Sequence, residues 1–426
     1  MRILFVSANY GGNVVGGAQV SIRLVAEEMV KLGHDVAVAS IDDGKPDLPD
    51  WQMPGLRRFR FDVENLYWRP ARRPGALRRL AWHLIDRSPG HHSRSLGRIM
   101  DDFMPDVVHT NVLGGVGSGP WRAARRRGIP IVHSVHDYYV MCLTSGMRRG
   151  GNCARPCKSC DVLSSVTAGD SALVDGVIYV SQHMRDTHRA ARRFAGARHE
   201  TILHGPQATS PVFPARPPLR HGTPVRFGYL GRIAPDKGID RLLNEFRRLP
   251  DCQTWTLKVA GNGSAPYTET LRARSAGLPV EFVGVVEARR FFQSIDVLVV
   301  PSLWNEPAAR VVYEAGLAGV APIVSRRGGL PELVAQGSRG WVYEPDEAGA
   351  LAALLEGCIN APATIAARAN AWESVTSTFA IADVTARTLD FYRQVIASRT
   401  TRARHSRDSE VSLEDTSLRE SPHADH

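Results

Sequence analysis

Short apolar runs rich in valine and isoleucine recur along this chain and alternate with segments of helical periodicity. Runs that are apolar throughout are buried on both faces, which is typical of parallel strands covered by helices. Between the first two runs, residues 16–33 show the helical spacing of apolar side chains, with a stop at Gly33. The first half therefore predicts a doubly wound sheet with strands at 2–7, 35–40, 106–110, 129–136 and 176–181.

The same pattern restarts after a proline-rich stretch at 206–222, which is predicted to be a linker. We predict an α/β chain of two Rossmann-like doubly wound domains, an N-terminal one over 1–205 and a C-terminal one over 223–380. The carboxyl ends of both sets of strands would face one cleft, where ligands bind in sheets of this class. The strands of the second set are expected at 225–230, 255–261, 280–284, 295–302 and 321–325.

The two ends of the chain differ from this pattern. A helix at 381–398 is expected to cross back to the N-terminal domain, and the tail at 399–426 is polar with few apolar residues, which predicts disorder. The start, M-R-I-L-F-V-S, passes straight into an apolar run, so no signal peptide is expected. No run of about 18 apolar residues predicts a transmembrane helix. We therefore expect a cytoplasmic protein.

The formal net charge of +10 comes mainly from arginine. A basic chain favours polyanions such as nucleic acid, an anionic membrane surface or phosphorylated ligands, although ordinary surface charge gives the same total. Nucleic-acid binding is disfavoured, because the basic residues lack interleaved aromatic side chains on a defined element. A dehydrogenase is also disfavoured, because no G-x-G-x-x-G with an acid about 20 residues later opens either domain.

Two carboxylates, Glu306 and Glu314, lie at the ends of a short apolar run in W-N-E-P-A-A-R-V-V-Y-E-A (304–315). Pro307 suits the first position of a helix, so the amides of 308–310 would offer a seat for phosphate. Glu314 would then lie about 12 Å further along the helix axis. Carboxylates accept hydrogen bonds from sugar hydroxyls, so this arrangement indicates a nucleotide sugar with its diphosphate at the helix mouth. A helix cap followed by a solvated face is the alternative.

Two cations, Arg232 and Lys237, flank a glycine turn after a predicted strand in G-Y-L-G-R-I-A-P-D-K-G (228–238). Such a pair can neutralise a diphosphate, although charged surface loops carry similar residues. Lys237 is one of five lysines in the chain. Glycines also recur after strand ends in both halves, Gly16 and Gly17 among them, and they allow a ligand to approach the backbone.

Three histidines, His109, His133 and His136, end predicted strands of the N-terminal half. Alternation along a strand puts His133 on the opposite face from His136. We select His136 as the principal candidate and assign His109 and Asp137 to the acceptor side of the cleft, where Asp137 would orient a neighbour or an acceptor hydroxyl. A strand-end histidine that serves only as a hydrogen-bonded polar group is the alternative.

Together these segments resemble a family 4 glycosyltransferase, a retaining enzyme with the two-domain GT-B fold. The resemblance runs from Met1 to about Arg399. It implies a nucleotide-diphosphate-sugar donor, a hydroxyl acceptor and retention at the anomeric carbon. No D-x-D motif is present, so no catalytic metal is expected. The matching pieces are G-G-A (16–18), S-V-H-D (134–137), G-R-I-A-P-D-K-G (231–238), A-G-N-G (260–263), P-S-L-W-N-E (301–306) with its E-x7-E to Glu314, and G-G-L-P-E (328–332).

By position, the resemblance implies that Arg232 and Lys237 hold the diphosphate and that Glu314 binds the ribose hydroxyls. Glu306 would lie beside the donor sugar. His136 matches the family histidine at the cleft edge, close to the transferred sugar. The catalytic set is therefore expected to comprise this histidine, Glu306 and the two cations.

The resemblance also implies that Gly16 and Gly17 pass near the donor phosphates. Ala308 and Ala309 stand where members often have Phe-Gly, so the identity of the donor stays open. Lipid-linked acceptors in cell-surface polysaccharide or glycoconjugate biosynthesis are a common outcome in the family. A catalytically silent nucleotide-sugar-binding protein on the same scaffold is the alternative, although the retained charged residues argue against it.

Four cysteines follow the histidine–aspartate pair as C-x10-C-x3-C-x2-C, at Cys142, Cys153, Cys157 and Cys160. Four thiolates at short spacing suit a structural, tetrahedral zinc ion that would fold a loop without its own core. An iron–sulfur cluster and free thiols remain open. A subset of similar transferases carries such an insertion, and the loop at 142–160 is expected to overhang the acceptor side of the cleft.

Arginines are dense between residues 57 and 98. Within this region a predicted helix could lie on the inner face of a membrane and receive a lipid-linked acceptor. An ordinary helix packed on the sheet, with its basic residues outside, is the alternative. The apolar face of this helix would consist of Leu77, Leu80, Ala81, Leu84 and Ile85.

Overall fold

The linker predicted at 206–222 lies almost entirely outside the described residues, as does the end of the chain at 418–426. For residues 400 and 402–417 only the backbone is described. The computed structural model describes residues 1–417 apart from 12–15, 45–50, 69–71, 73, 204–218, 220–221, 251, 336–337 and 376.

The strands of the N-terminal half are β1 (Arg2–Val6), β2 (Asp35–Ile41), β3 (Leu56–Phe61), β4 (Val107–Thr110), β5 (Ile131–Val135), β6 (Arg148–Arg149), β7 (Gly151–Asn152), β8 (Gly176–Tyr179) and β9 (Arg198–Thr201). One parallel sheet has the order β3-β2-β1-β4-β5-β8-β9, and β6 and β7 form a separate antiparallel ribbon. Along β1, Ile3 and Phe5 face one core while Leu4 and Val6 face another. This burial on both faces explains why the strand is apolar throughout.

Several helices of this half connect the strands and pack on the sheet faces. The core on one face, for example, includes Leu96 and Trp121 from two of them. The helices are α1 (Gly17–Lys31), α2 (Ala76–Asp86), α3 (Ser93–Phe103), α4 (Gly119–Arg126), α5 (Lys158–Leu163), α6 (Ser165–Asp170) and α7 (Gln182–Ala190).

The C-terminal half repeats the architecture with β10 (Val225–Leu230), β11 (Trp255–Ala260), β12 (Val280–Gly284), β13 (Val297–Val300), β14 (Ala321–Ser325) and β15 (Trp341–Tyr343). Its parallel sheet has the order β12-β11-β10-β13-β14-β15. Its helices are α8 (Ile239–Phe246), α9 (Ala265–Arg274), α10 (Ala288–Gln293), α11 (Arg310–Leu317), α12 (Leu330–Ala335), α13 (Ala350–Asn360) and α14 (Ala363–Asn370). The predicted α/β class with two Rossmann-like domains is confirmed.

The strand order reverses beside β1 in the first sheet and beside β10 in the second. In each sheet the first strand is flanked on both sides by strands that come later in the chain: β1 lies between β2 and β4, and β10 lies between β11 and β13. The connections that run in the two directions therefore place their helices on opposite faces of the sheet. Ligands of doubly wound sheets bind at the carboxyl ends of the strands at such points. The loops after these strands are therefore the places to look for a site.

The last helix, α15 (Ile381–Ser417), returns to the N-terminal sheet. Its Tyr392 and Val395 are buried in the same core as Ile3. The helix does not end at the expected boundary but continues through 399–417, where the polar composition predicts disorder. The segment contains neither glycine nor proline, so nothing in its sequence ends the helix.

Among the described residues, no single helix has both the length and the apolar character that a membrane crossing requires. Two consecutive helical segments, Ala350–Asn360 and Ala363–Val375, are together long and apolar enough to span a membrane. They meet at an angle of 102°.

Three histidines, the buried His133 and His188 and the half-buried His136, make the stability of the N-terminal domain depend on pH. Burial lowers the pKa of His133 to about 3 and the pKa values of His136 and His188 to about 4. Each ring is neutral in the folded chain and takes up a proton on unfolding below its ordinary pKa of 6.5. The free energy of unfolding therefore falls as the pH falls from 6.5 toward these folded values.

We expect a lower urea midpoint at about pH 5 than at about pH 7, measured by circular dichroism. Asp86 and Asp137 oppose this, since burial raises their pKa values to about 6 and they keep a proton in the folded chain below that pH. The histidines prevail because they are more numerous and act over a wider pH window. His188→Asn should make the midpoint less dependent on pH, and an unchanged wild-type midpoint would contradict neutral buried histidines.

Candidate functional site

The loop after β13 carries Glu306 into a buried ion pair. Glu306 is 5% exposed, and its Oε1 lies 2.6 Å from Nζ of Lys237. The hydroxyl of Ser302 donates to the same oxygen at 2.8 Å. The ammonium of Lys237 also lies 4.9 Å from the ring centroid of Trp304, a cation–π contact. Two residues selected from the sequence therefore meet directly.

The glycine turn after β14 fixes the backbone of Glu306. The amide of Gly329 donates to the Glu306 carbonyl at 2.8 Å. Gly328 has a φ of +58°, and a Cβ there would lie 2.1 Å from the same carbonyl oxygen. Glycine alone fits both the conformation and the close contact. The turn therefore holds the loop of Glu306 at the sheet edge.

Helix α11 begins at Arg310, not at Pro307 as the sequence suggests. The residue before it, Ala309, has an extended backbone, and the carbonyl of Glu306 is already bound by the glycine turn. The chain therefore enters the helix three residues late, and Glu314 lies one turn inside it instead of two. Oε1 of Glu314 accepts from Nη2 and Nε of Arg310 at 2.7 and 3.1 Å.

The N-terminus of α1 faces the N-terminus of α11. Gly16 precedes α1 as its N-cap residue, and a Cβ on Gly17 would lie 3.1 Å from Cδ of Arg310. Nη1 of Arg310 donates to Oγ of Ser21 at 3.0 Å. Two helix ends with unsatisfied amides thus meet at one guanidinium. The motifs point only to the backbone amide of Arg310. The i,i+4 spacing between Arg310 and Glu314 is the feature of the sequence that indicates the contact between their side chains.

Arg232 lies on the same turn after β10 as Lys237 but is far more exposed. Its side chain is 60% exposed, and Nη2 contacts Oδ2 of Asp236 at 2.7 Å. The structure therefore brings Lys237 to Glu306 and leaves Arg232 at the rim. Both cations remain on one short turn at the same edge of the sheet.

His136 and Asp137 follow β5 on the N-terminal side. Nε2 of His136 lies 3.1 Å from Oδ1 of Asn111, and with a pKa lowered by burial to about 4 the ring is neutral near physiological pH. Oδ1 of Asp137 accepts the amide of Tyr139 at 2.8 Å. Burial raises the pKa of Asp137 to about 6. Each residue is thus held by a hydrogen bond within the N-terminal domain.

His109 is buried in the N-terminal core, at 2% exposure. Its Nε2 lies 2.8 Å from Oγ of Ser134, and its Nδ1 bonds the hydroxyl of Tyr392 on α15. Nδ1 therefore fastens the last helix to the sheet, and Nε2 links β4 to β5. Both nitrogens are engaged inside the N-terminal domain, which does not support the assignment of His109 to the acceptor side of the cleft.

Two further side chains join the halves of the chain and were missed from the sequence. The carboxylate of Glu332 accepts the amides of Gln182 and His183, at the start of α7, at 2.7 and 2.6 Å. The hydroxyl of Tyr138 donates to the carbonyl of Asn305 at 2.9 Å. Their partners lie far away along the chain, so no local pattern indicates them.

The loop at 142–160 carries the four predicted metal ligands, and all of them are free thiols. Sγ of Cys142 lies 4.0 Å from Sγ of Cys160. Among the described residues, no three histidine, cysteine, aspartate or glutamate side chains already surround a point where an ion would sit. The loop contacts the C-terminal half at residues 303–305.

Two protein-family models match the chain, one for each half. The model described as Glycosyltransferase Family 4 matches residues 15–208, and the model described as Glycosyl transferases group 1 matches residues 215–372. Together they cover most of the sequence, including both sides of the geometry described above.

Similar proteins agree with this match. An uncharacterized 42.6 kDa protein in the cps region of Klebsiella pneumoniae is 28% identical over 338 residues, 78% of this chain and 87% of that protein. Sucrose-phosphate synthase from Thermosynechococcus elongatus superposes with a TM-score of 0.71 at 19% identity, over 93% of this chain and 99% of that one. HepE from Anabaena, in complex with UDP, gives a TM-score of 0.68 at 19% identity, over 92% and 100%. In sequence and in fold, this chain belongs to the family 4 glycosyltransferases with the GT-B fold.

Proposed function

We propose that this glycosyltransferase moves a sugar from a nucleoside-diphosphate sugar to a hydroxyl acceptor with retention of the anomeric configuration. The observation that carries the proposal is the pairing of two carboxylates with two cations at one sheet edge. Lys237 holds Glu306, and Arg310 holds Glu314. Because this edge faces the N-terminus of α1, positive charge and hydroxyl-accepting carboxylates meet in one place.

The positive groups define the seat of the diphosphate. The ammonium of Lys237 has three donors, of which Glu306 takes one. The exposed Arg232 can exchange Asp236 for a phosphate oxygen, and the first amides of α1 and α11 add further donors. The complex of HepE with UDP supports a nucleoside diphosphate as the group bound here.

The two carboxylates would bind the sugar rings of the donor. Arg310 contacts Oε1 of Glu314, and we assign Oε2 to the ribose hydroxyls. Lys237 contacts Oε1 of Glu306, and we assign Oε2 to a hydroxyl of the transferred sugar. In this arrangement each cation both fixes a carboxylate and faces the phosphates.

We expect retention because both acids are paired with the cations of the proposed diphosphate site and are not free to act as a base or nucleophile on the far face of the sugar. A base or nucleophile must lie on the face of the sugar opposite the leaving diphosphate, whereas Glu306 and Glu314 lie with the cations that bind it. The remaining route is attack from the diphosphate's own face, with a leaving-group oxygen taking the acceptor proton. Lys237 and the helix amides would stabilise the departing charge. His136, neutral near physiological pH, would position the sugar without a covalent bond.

The acceptor in this proposal is a hydroxyl of a lipid-linked glycan, in cell-surface polysaccharide or glycoconjugate biosynthesis at the cytoplasmic face of a membrane. Helix α2 supports this proposal, because Leu77, Leu80 and Leu84 are 84%, 43% and 52% exposed beside Arg78 and Arg79. These exposures do not fit a helix packed on the sheet by its leucines. They suit an anionic membrane surface.

Donor binding should depend on Lys237. Lys237→Ala should weaken nucleoside-diphosphate binding by about 2–5 kcal/mol, since the phosphates lose a cation and a buried carboxylate loses its partner. Isothermal titration calorimetry measures the change, with Lys31→Ala at the far end of α1 as the matched control.

Glu314→Gln should weaken the binding of nucleoside diphosphates but not of pyrophosphate, which has no ribose. Unchanged affinity in both variants would refute this donor site.

The product should keep the anomeric configuration of the donor. An NMR spectrum of the first product, recorded before mutarotation, decides the question, because the proposed attack occurs on the face that the diphosphate leaves. An inverted product would transfer the role of general base to Asp137, whose raised pKa of about 6 suits it, and would overturn the mechanism.

Helix α2 should bind anionic membranes. The full chain should float with vesicles of phosphatidylcholine and phosphatidylglycerol, and joint replacement of Leu77, Leu80 and Leu84 by serine should abolish this. Each leucine buried in the acyl region contributes about 1.5–3 kcal/mol. Leu32→Ser removes a leucine of similar exposure, 55%, elsewhere and should float like the wild type. Equal flotation of the triple variant would contradict the membrane contact.

A further inference from the structure

The loop at 142–160, which we call the cysteine loop, has almost no core of its own. It contains the two-residue strands β6 and β7 and the beginning of α5, a six-residue helix without a buried residue. Its buried side chains include Met147 and Cys142. A segment with so little apolar burial needs a cross-link, a metal ion or a partner surface to hold one conformation.

The sulfur atoms of the loop lie close together. Sγ of Cys142 and Sγ of Cys160 are 4.0 Å apart. Zinc with Zn–S distances of about 2.3 Å sets its four sulfurs about 3.8 Å apart, so one edge of such a tetrahedron is nearly formed. The side chains of Cys157 and Cys160 also contact each other. Cys153 lies near enough to interact electrostatically with both Cys142 and Cys157.

Backbone amides point at these sulfur atoms. The amide of Met147 donates to Sγ of Cys142 at 3.3 Å. Such a hydrogen bond fixes the position of the sulfur atom relative to the backbone. The other three sulfurs have amide partners too: Arg149 for Cys153, Cys160 for Cys157 and Leu143 for Cys160.

The cysteine loop holds the segment that leads into the donor site. Nη1 of Arg148 and Nδ2 of Asn152 both donate to the carbonyl of Leu303 at 2.8 Å. Nε1 of Trp304 donates to a carbonyl of the loop. Glu306 follows these residues closely in the sequence. The conformation of the cysteine loop therefore sets the position of the Glu306 carboxylate in the proposed donor site.

We propose that Cys142, Cys153, Cys157 and Cys160 bind one zinc ion, which fixes the cysteine loop in the conformation that holds residues 303–305. Four thiolates fill the coordination sphere of zinc, so the ion is structural and leaves no open position for substrate. Its effect on donor affinity rests on the donor site proposed above. Two sites linked in this way change each other's affinity by about 5–150-fold.

The first experiment determines the metal content of the full chain, purified without added metal or chelator. Elemental analysis should give about one zinc per chain. Cys153→Ser and Cys157→Ser should each lose most of it, whereas Cys252→Ser, at an exposed cysteine outside the loop, should retain it. Zinc-free wild-type protein, a disulfide between Cys142 and Cys160, or the absorption of an iron–sulfur cluster would each overturn the site.

A second experiment uses the wild-type chain, so it does not depend on the folding of serine variants. Modification of the thiols with p-hydroxymercuribenzoate should release zinc. The released zinc is measured by the absorbance of its complex with 4-(2-pyridylazo)resorcinol. Affinity for nucleoside diphosphates, measured by calorimetry, should fall about tenfold when a chelator removes zinc and should recover when zinc is restored.

The outcomes of the two experiments separate the proposals. Bound zinc whose removal leaves nucleotide affinity unchanged would refute the link between the loop and the donor site. If the zinc-loaded chain bound no nucleoside diphosphate, the proposed donor site would be refuted. The proposed effect of zinc on donor affinity would then be refuted as well. The zinc content would still decide whether the four cysteines form a metal site.

Discussion

The buried contact between Lys237 and Glu306 is the interaction on which the proposed donor site depends. Two charges taken out of water lose hydration, and the loss is offset only by good geometry and further hydrogen bonds. Here the hydroxyl of Ser302 supplies a hydrogen bond and the ring of Trp304 a cation–π contact, and the amide of Gly329 fixes the backbone. Removal of one partner would leave a buried charge alone, at a cost of about 3–5 kcal/mol. The turn after β10 and the loop after β13 must therefore keep their positions together.

Contacts between the two halves of the chain converge on the same loops. The cysteine loop holds residues 303–305, Tyr138 binds the carbonyl of Asn305, and Glu332 binds the first amides of α7. Arg310 adds a fourth contact through the first turn of α1. Since these contacts involve the segments that hold the donor groups, the arrangement of the domains and the geometry of the site are determined together.

The sequence predicted what is local and missed what is distant. Strands buried on both faces are apolar throughout and could be found, whereas β3 (Leu56–Phe61) carries three arginines at the edge of its sheet and was missed. The motifs selected Glu314 together with Glu306 and Lys237, and the last two meet in an ion pair. Pro307 is a good first residue of a helix, but the turn at Gly329 delays the helix start. The bond from His109 to Tyr392 spans 283 positions, and no local pattern contains it.

Helix α15 belongs to the core of the domain that the ribosome makes first. A Cβ on Gly176 would lie 2.6 Å from Val395, so the helix packs directly on β8, and Tyr392 completes the hydrogen bonds of a core histidine. During synthesis, part of one apolar face of the N-terminal sheet therefore stays uncovered until the whole C-terminal domain has been translated. The domain that is made first is completed last. An unfinished chain thus exposes part of this apolar face, and the proposed donor site stays incomplete until the C-terminal domain has been made.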